Sequence, residues 1–269
     1  MIIYYLLLSL IIYKKKYFVG VFIVYLFVIL NINSFNSYYK ITYIDVGQGD
    51  SILIEYPYRK YVVLIDSFNN IDYLKKIGIN KIDVVFLSHN DLDHTGSVKE
   101  LCEDFNVKKI YRSYYEEELD YITYPLRTND KVNIGDITFE IFGPIKNYYE
   151  SNSNSLAIKV DINGFKFLFT GDASVLSEQD LINKYHNQLT CDFLKIGHHG
   201  SITSTSFEFL NYVNPRYSII SVGKNNKYGL PDIEIIKRIS RYSYVYNTSI
   251  NGNIYVYIDN DKLKIKSYK

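Results

Sequence analysis

The sequence predicts an α/β (α+β) domain in which two sheets pack face to face with helices on their outer faces, behind an apolar N-terminal segment. Three observations predict it. A chain of 269 residues that is 47% hydrophobic can bury a substantial core. Short β-type runs come in two batches with amphipathic helical stretches among them, and layered packing is the economical way to bury both kinds of element. The first 30 residues are almost wholly apolar apart from Ser9 and the run Lys14, Lys15, Lys16.

The apolar spans on either side of those lysines are shorter than the roughly 20 residues of a bilayer crossing. The simplest topology keeps Lys14 to Lys16 in the cytoplasm and crosses once from Tyr17 to about Phe35. That makes residues 1–37 a membrane anchor and places a domain of residues 38–269 outside the cell. A hairpin using both apolar runs and a cleaved signal peptide are the alternatives. Asn31 to Ser37 offers no Ala-x-Ala-like site for cleavage.

Beyond the anchor the chain carries 27 basic and 29 acidic residues. That balance lacks the concentrated positive charge of a strong nucleic-acid binder. Cys102 and Cys191 stand in unrelated contexts with no CxxC spacing, so neither a disulfide framework nor a thiolate zinc site is signalled, and both read as buried, inert thiols.

Strands are expected at Ile41–Val46, Ser51–Glu55, Tyr61–Asp66, Asp83–Ser88, Lys109–Arg112, Ile137–Phe142, Leu156–Asp161 and Phe165–Thr170. Further ones follow at Asp192–Ile196, Tyr217–Val222, Tyr242–Tyr246 and Ile254–Ile258. Helices are expected at Asn70–Ile77, Ser97–Phe105, Ser174–Tyr185, Ser206–Val213 and Asp232–Arg238. Asn163-Gly164 and Asn251-Gly252 suit the positive φ of tight turns. Residues 262–269 read as a mildly basic, solvated tail.

Chemistry concentrates in three places, each a strand running into a loop, where side chains converge without breaking a ladder. The first is Ser88-His89-Asn90-Asp91-Leu92-Asp93-His94. Four potential ligands in six residues is more than an ordinary polar loop gathers; His89 and Asp91 are spaced to reach one ion while Asp93 and His94 turn toward a second. The next is Thr170-Gly171-Asp172, where a carboxylate can give one oxygen to each of two ions. The last is Leu194-Lys195-Ile196-Gly197-His198-His199-Gly200-Ser201, whose adjacent histidines can place one imidazole on metal and leave the other facing substrate. His186 reads as a surface helix residue.

These motifs, together with Asp45-Val46-Gly47-Gln48-Gly49-Asp50-Ser51 and Asn226-Lys227-Tyr228-Gly229-Leu230-Pro231, resemble the metallo-β-lactamase superfamily, and within it the C-terminal domain of ComEC-type competence proteins. They occur in family order over residues 41–231. The resemblance implies a four-layer αββα sandwich with two divalent metal ions, zinc or manganese, at the lip between the sheets. It implies His89, Asp91, Asp93, His94, Asp172 and His199 as ligands, with His198 facing the substrate oxyanion. Asp93 would also orient the nucleophile, and Lys195 would stabilise developing negative charge. Asp45, Asp50 and Asp66 would brace loops or orient the imidazoles, with Asn154, Ser201 and Tyr228 in supporting loop positions.

Two departures from the family pattern bear on the chemistry. Asp91 stands where the second histidine of His-x-His-x-Asp-His is usual, and no histidine lies between His94 and Asp172; either an Asn amide from Ser151–Ser155 substitutes or the first site is incomplete. Oxygen in place of nitrogen makes a harder site and shifts preference from Zn²⁺ toward Mn²⁺ or Mg²⁺. Leu230 replaces the histidine of Asn-x-Tyr-Gly-His-Pro, which implies reduced or altered activity. The expected function is a phosphodiesterase or nuclease acting on nucleic acid in DNA uptake, with a separate membrane channel subunit as partner. Hydrolysis of small or cell-surface phosphoesters and a non-catalytic metal-binding scaffold are the alternatives.

Overall fold

The computed structural model of the chain describes residues 5–7, 15–30 and 35–268. In chain order, helix α1 (Lys15–Leu30) precedes β1 (Tyr39–Tyr43), β2 (Ile52–Glu55), β3 (Val62–Ile65), α2 (Ile71–Lys76), β4 (Lys81–Ile82) and β5 (Val84–Leu87). Then come α3 (Leu92–Thr95), α4 (Val98–Asp104), β6 (Asn106–Val107), β7 (Ile110–Ser113), β8 (Tyr124–Leu126), β9 (Lys131–Ile134), β10 (Ile137–Gly143), β11 (Ala157–Ile162) and β12 (Phe165–Phe169). The chain continues through α5 (Val175–Tyr185), β13 (Phe193–Lys195), α6 (Phe207–Val213), β14 (Tyr217–Ile220), α7 (Ile233–Ile239), β15 (Tyr244–Asn247), α8 (Thr248–Asn251), β16 (Asn253–Asp259) and β17 (Lys262–Tyr268).

One sheet has the order β17-β16-β1-β2-β3-β5-β7-β8 and the other β15-β14-β13-β12-β11-β10-β9; β4 and β6 form a small separate ladder. Alternation along the strands builds the layers. In β2, β3 and β5, Ile52, Ile54, Val63, Ile65, Val84 and Phe86 enter the core between the sheets. Their neighbours Leu53, Val62, Leu64, Val85 and Leu87 face outward under α2 and α4. Strands apolar on both faces are what a sheet covered on both sides requires. The second sheet is likewise roofed by α5, α6 and α7 over Leu168, Leu194 and Ile220, so the expected four-layer sandwich is present. Phe86 lies wholly inside, stacked 5.1 Å from Phe139, and its truncation to alanine costs about 3–5 kcal/mol.

Asn163-Gly164 makes the expected tight turn between β11 and β12, with positive φ at both residues. Asn251-Gly252 does not: it ends α8, with Gly252 taking the positive φ after the helix. Residues 262–268 are not a solvated tail. They form β17, seven residues paired along the full length of β16; alternating lysines masked a strand whose Leu263 and Ile265 pack on the inter-sheet core. Cys191 is buried as expected, whereas Cys102 is exposed on α4; the two belong to opposite outer layers, and no bridge joins them. At the N-terminus α1 has 16 residues. Among the described residues no helix is long and apolar enough to cross a membrane, and part of the expected crossing, residues 31–34, lies outside them.

Candidate metal centre

The three chemical motifs meet at the C-terminal ends of β3, β5, β12 and β13. β3 and β5 are parallel neighbours, as are β12 and β13, so the loops leaving each pair emerge side by side at the lip of the sandwich. Gly171 permits their approach. Its φ is positive, and a Cβ there would stand 2.7 Å from Ser88 Cβ and 2.9 Å from Ser155 Cβ.

Each of three buried imidazoles is held through Nδ1. His94 Nδ1 lies 2.8 Å from Asp66 Oδ2, and Asp66 in turn accepts from the Ser88 backbone N–H and hydroxyl. His199 Nδ1 lies 2.8 Å from the Ser221 carbonyl, an acceptor only, so this nitrogen carries the proton. His89 Nδ1 lies 3.0 Å from Ser88 Oγ and 3.2 Å from Ser155 Oγ. Oxygen partners at Nδ1 leave the Nε2 lone pairs aimed into the space between the loops. There His94 Nε2 is 3.3 Å from Asp172 Oδ1, and His199 Nε2 is 3.5 Å from Asp172 Oδ2 and 3.2 Å from Asp93 Oδ2. His89 Nε2 is 3.7 Å from Asp91 Oδ2, and the His89 and His94 rings stand 4.1 Å apart.

These distances define overlapping groups whose ligand atoms lie within 4.8 Å of one another: His89 with His94 and Asp172, Asp93 with His94 and His199, and Asp50 with Asp172 and His199. His89 Nε2, His94 Nε2 and Asp50 Oδ1 are buried without a hydrogen-bond partner. Orphaned lone pairs beside carboxylates carry a desolvation cost that a cation relieves. The residues present therefore fit divalent metal.

The electrostatics follow from this crowding. Burial works against charge on His94, but the carboxylates of Asp172 and Asp66 outweigh it and hold its pKa well above the usual range. His199 is likewise raised, against burial, by Asp172 and its hydrogen bond to Asp93. Asp172 is held well below the usual carboxylate range despite burial, by His199, His94 and Lys195. Asp93 falls to about 2, burial notwithstanding, through its bond to His199 and the two imidazoles. His198 is lowered, first by burial; its Nε2 stands 3.9 Å from Asp172 Oδ2 and its Nδ1 3.0 Å from Thr203 Oγ1.

Lys195, on a strand where it could equally face the reacting group or point away, lies beneath the cluster. Its side chain is 1% exposed, its ammonium donates to the Gly171 carbonyl at 3.0 Å, and it pairs with Asp50 Oδ2 beneath the cluster. It faces the floor of the site because β13 turns that residue inward between two buried carboxylates, and an unpaired ammonium there would cost more. Asp50 is correspondingly deeper than a loop brace. Asp66 orients His94. Asp45 is exposed and engages Gly47 and Asn253, and Ser201 bonds Thr203.

The Asn154 side chain is spent on Tyr148 and Asn147, away from the imidazoles; the serine beside it, Ser155, reaches both His89 and Asp172. Leu230 packs against the apolar layer under α7, and Asn226 holds its loop through the Leu230 carbonyl and amide. Tyr228 is 60% exposed and lines, with Gln48, Phe68, Leu92, Asp93 and Lys227, a groove of about 470 Å³ that opens on Asp93. Nothing in the sequence marks Ser88, Ser155 and Ser221 as anchors of the imidazoles. Their roles belong to an oxygen at a fixed position, for which serine identity is no signal.

A family model described as the metallo-beta-lactamase superfamily matches residues 44–224. ComE operon protein 3 of Bacillus subtilis is 29% identical over 252 residues, covering 80% of this chain and 32% of that protein. Recombination protein 2 of Haemophilus influenzae is 31% identical over 242 residues, covering 85% and 30%. The chain thus spans about a third of the length of these relatives. Among solved structures, the metallo-beta-lactamase fold protein YhfI from Bacillus subtilis aligns with TM-score 0.58 at 12% identity, over 83% of this chain and 100% of that one.

Proposed function

The chain belongs to the metallo-beta-lactamase superfamily, and on that premise we propose that it is a membrane-anchored, metal-dependent phosphodiesterase that acts on nucleic acid during DNA uptake. The observation that carries the hydrolase reading is the convergence of three Nδ1-anchored imidazoles and Asp172 on one space, with the His89 and His94 Nε2 lone pairs unsatisfied. The DNA-uptake setting draws on the competence and recombination proteins that it resembles. A separate channel subunit belongs to the same reading.

His89, Asp91 and Asp172 would hold one divalent ion, and Asp93, His94, His199 and Asp172 a second. Such ions make a water nucleophilic near neutral pH and polarise the phosphoryl group. Asp93, ionised and partly exposed, is placed where it would orient a water from the groove side. His198, neutral and on the rim, is placed to donate a hydrogen bond to a non-bridging phosphate oxygen. Asp66 and Ser221 keep the imidazoles from rotating, and Lys195 offsets the Asp50 and Asp172 charges from below. Tyr228 and Lys227 at the groove mouth offer a ring for a base and an ammonium for a phosphate.

The test is hydrolysis of single- and double-stranded DNA, bis-p-nitrophenyl phosphate and nitrocefin, each with Mn²⁺ and with Zn²⁺, by the intact chain and by Asp172→Asn. Metal-dependent cleavage of DNA that Asp172→Asn abolishes supports the reading; cleavage of nitrocefin alone overturns it. A scaffold reading draws on one observation, the lack of a third nitrogen donor around His89 among the described residues. Metal bound without turnover of any of these substrates would favour it.

A further inference from the structure

The end of the sandwich opposite the metal centre has its own character. The Asn36 carbonyl accepts from the Tyr58 backbone N–H at 2.6 Å, so the chain arriving from α1 is pinned to the turn between β2 and β3. Every side chain of α1 from Val21 to Leu26 is exposed and apolar or aromatic. The first sheet begins soon after Asn36, with β1 at Tyr39.

The hairpin β16–β17 flanks that entry point. Ile254, Val256 and Ile258 of β16 face the inter-sheet core, so Tyr255 and Tyr257 face outward. The pairings Tyr255 with Lys266, Tyr257 with Lys264 and Asp259 with Lys262 put all three lysines on that outward face. Tyr73 of α2 reaches Tyr255, but the apolar layer under α2 and α4 includes no residue of β16 or β17, and the hairpin end from Asp259 to Lys262 is exposed. A shallow pocket of about 340 Å³ lies there between Tyr38, Tyr257, Asp259 and the lysines. Tyr58 and Lys60 are exposed beside it.

Taking the membrane anchoring proposed above as given, we propose that this pole rests on the head groups of an anionic lipid bilayer. Lys60, Lys262 and Lys264 meet lipid phosphates, and Tyr38, Tyr58 and Tyr257 sit at the level where amphipathic rings are favoured. Asp259 and Asp261 at the hairpin turn, with Asp136 beside Tyr58 and Lys60, oppose Lys60, Lys262, Lys264 and Lys266; four lysines against three carboxylates leave one positive charge in excess, which suits surface contact rather than tight binding of a polyanion. β3 and β16, four and seven residues long, put the metal centre roughly 15–20 Å from this pole. The centre then opens away from the bilayer, toward solvent.

The experiment uses the full chain in vesicles of phosphatidylcholine alone or with a third phosphatidylserine, doped with a lipid that carries a photoactivatable head group, and maps cross-links by mass spectrometry. Cross-links are expected on residues 36–38, 57–60 and 257–264, several-fold more abundant with phosphatidylserine, and absent from 90–94, 198–203 and 226–230. Lys262→Glu with Lys264→Glu should cut them several-fold while DNA hydrolysis and vesicle association stay unchanged. Cross-links on the metal-centre loops, or spread evenly, overturn the orientation. A chain that alkaline carbonate strips from the vesicles overturns the anchor itself, and is distinguishable because no cross-link pattern then persists. Loss of DNA binding in the double variant with unchanged cross-links would assign the face to nucleic acid instead.

Discussion

The two halves of the metal centre are built to different standards. Around His94 and His199 each imidazole is buried and anchored by a carboxylate or a carbonyl; His94 Nε2 faces Asp172, and His199 Nε2 faces Asp93 and Asp172. Around His89 the anchors are serine hydroxyls, and the opposing carboxylate, Asp91, is about half exposed. A charged or carbonyl acceptor makes a more basic and better oriented imidazole than a hydroxyl does, and an exposed carboxylate loses more to solvent screening. On the proposed two-ion reading, the difference teaches that one cation should be held tightly and the other weakly, with Asp172 as the side chain that would serve both.

The largest effect should come from removing that shared carboxylate. Asp172→Asn is expected to abolish DNA hydrolysis and lower metal content by more than the roughly 10–100-fold affinity loss typical of supporting residues, as metal analysis of purified protein would show. Retention of both ions would break the two-half description. Next, His199→Ala should remove the tight ion and His89→Ala only the weak one, so calorimetric titrations of the two variants with Mn²⁺ should lack different phases. Identical titrations would mean the halves are equivalent.

Asp66→Asn tests the anchors and is expected to weaken the tight ion about 10–100-fold, while Ser155→Ala weakens the other by less. At the groove, Tyr228→Ala should raise KM for single-stranded DNA by about tenfold, as the loss of one stacked base implies, and leave bis-p-nitrophenyl phosphate unaffected. Leu230→His, by contrast, places a polar ring against an apolar layer, and a large gain in turnover would contradict the position described for Leu230.

The smallest effect concerns the brace behind the tighter half. Buried Glu178 accepts from the Thr205 and Ser206 amides that close the loop bearing His198 and His199; burial raises its pKa from 4.5 to about 7 against those bonds. A folded-state pKa above the unfolded one favours the protonated fold, so the contribution is present below about 4.5 and is lost as pH rises through about 7. Tm of the metal-free protein should therefore fall more steeply over that window than Tm of Glu178→Gln; parallel profiles would remove Glu178 from the account.

Much of this architecture is legible in the amino-acid sequence. The runs Val62 to Ile65 and Val84 to Leu87, apolar throughout, announce strands covered on both faces, and the His89–His94 block announces ligands because so many donors in six residues have no structural use. The β17 strand is not legible, since Lys262, Lys264 and Lys266 read as a solvated tail until β16 supplies a partner. Nor are β8, three residues with a proline at their centre, and β9, four residues of alternating polarity, which are strands only because β7 and β10 lie beside them.

By itself the sequence determined which residues are candidate ligands and in what layered frame they stand, because side-chain type and periodicity are local properties. Tertiary structure alone decided that Lys195 faces the floor rather than the substrate, that Asp50 joins the cluster and Asn154 leaves it, and which oxygens fix the three imidazoles. The physical reason is that orientation and burial arise where four strand ends meet, among residues as far apart in sequence as Asp50 and His199. No stretch of sequence contains that meeting.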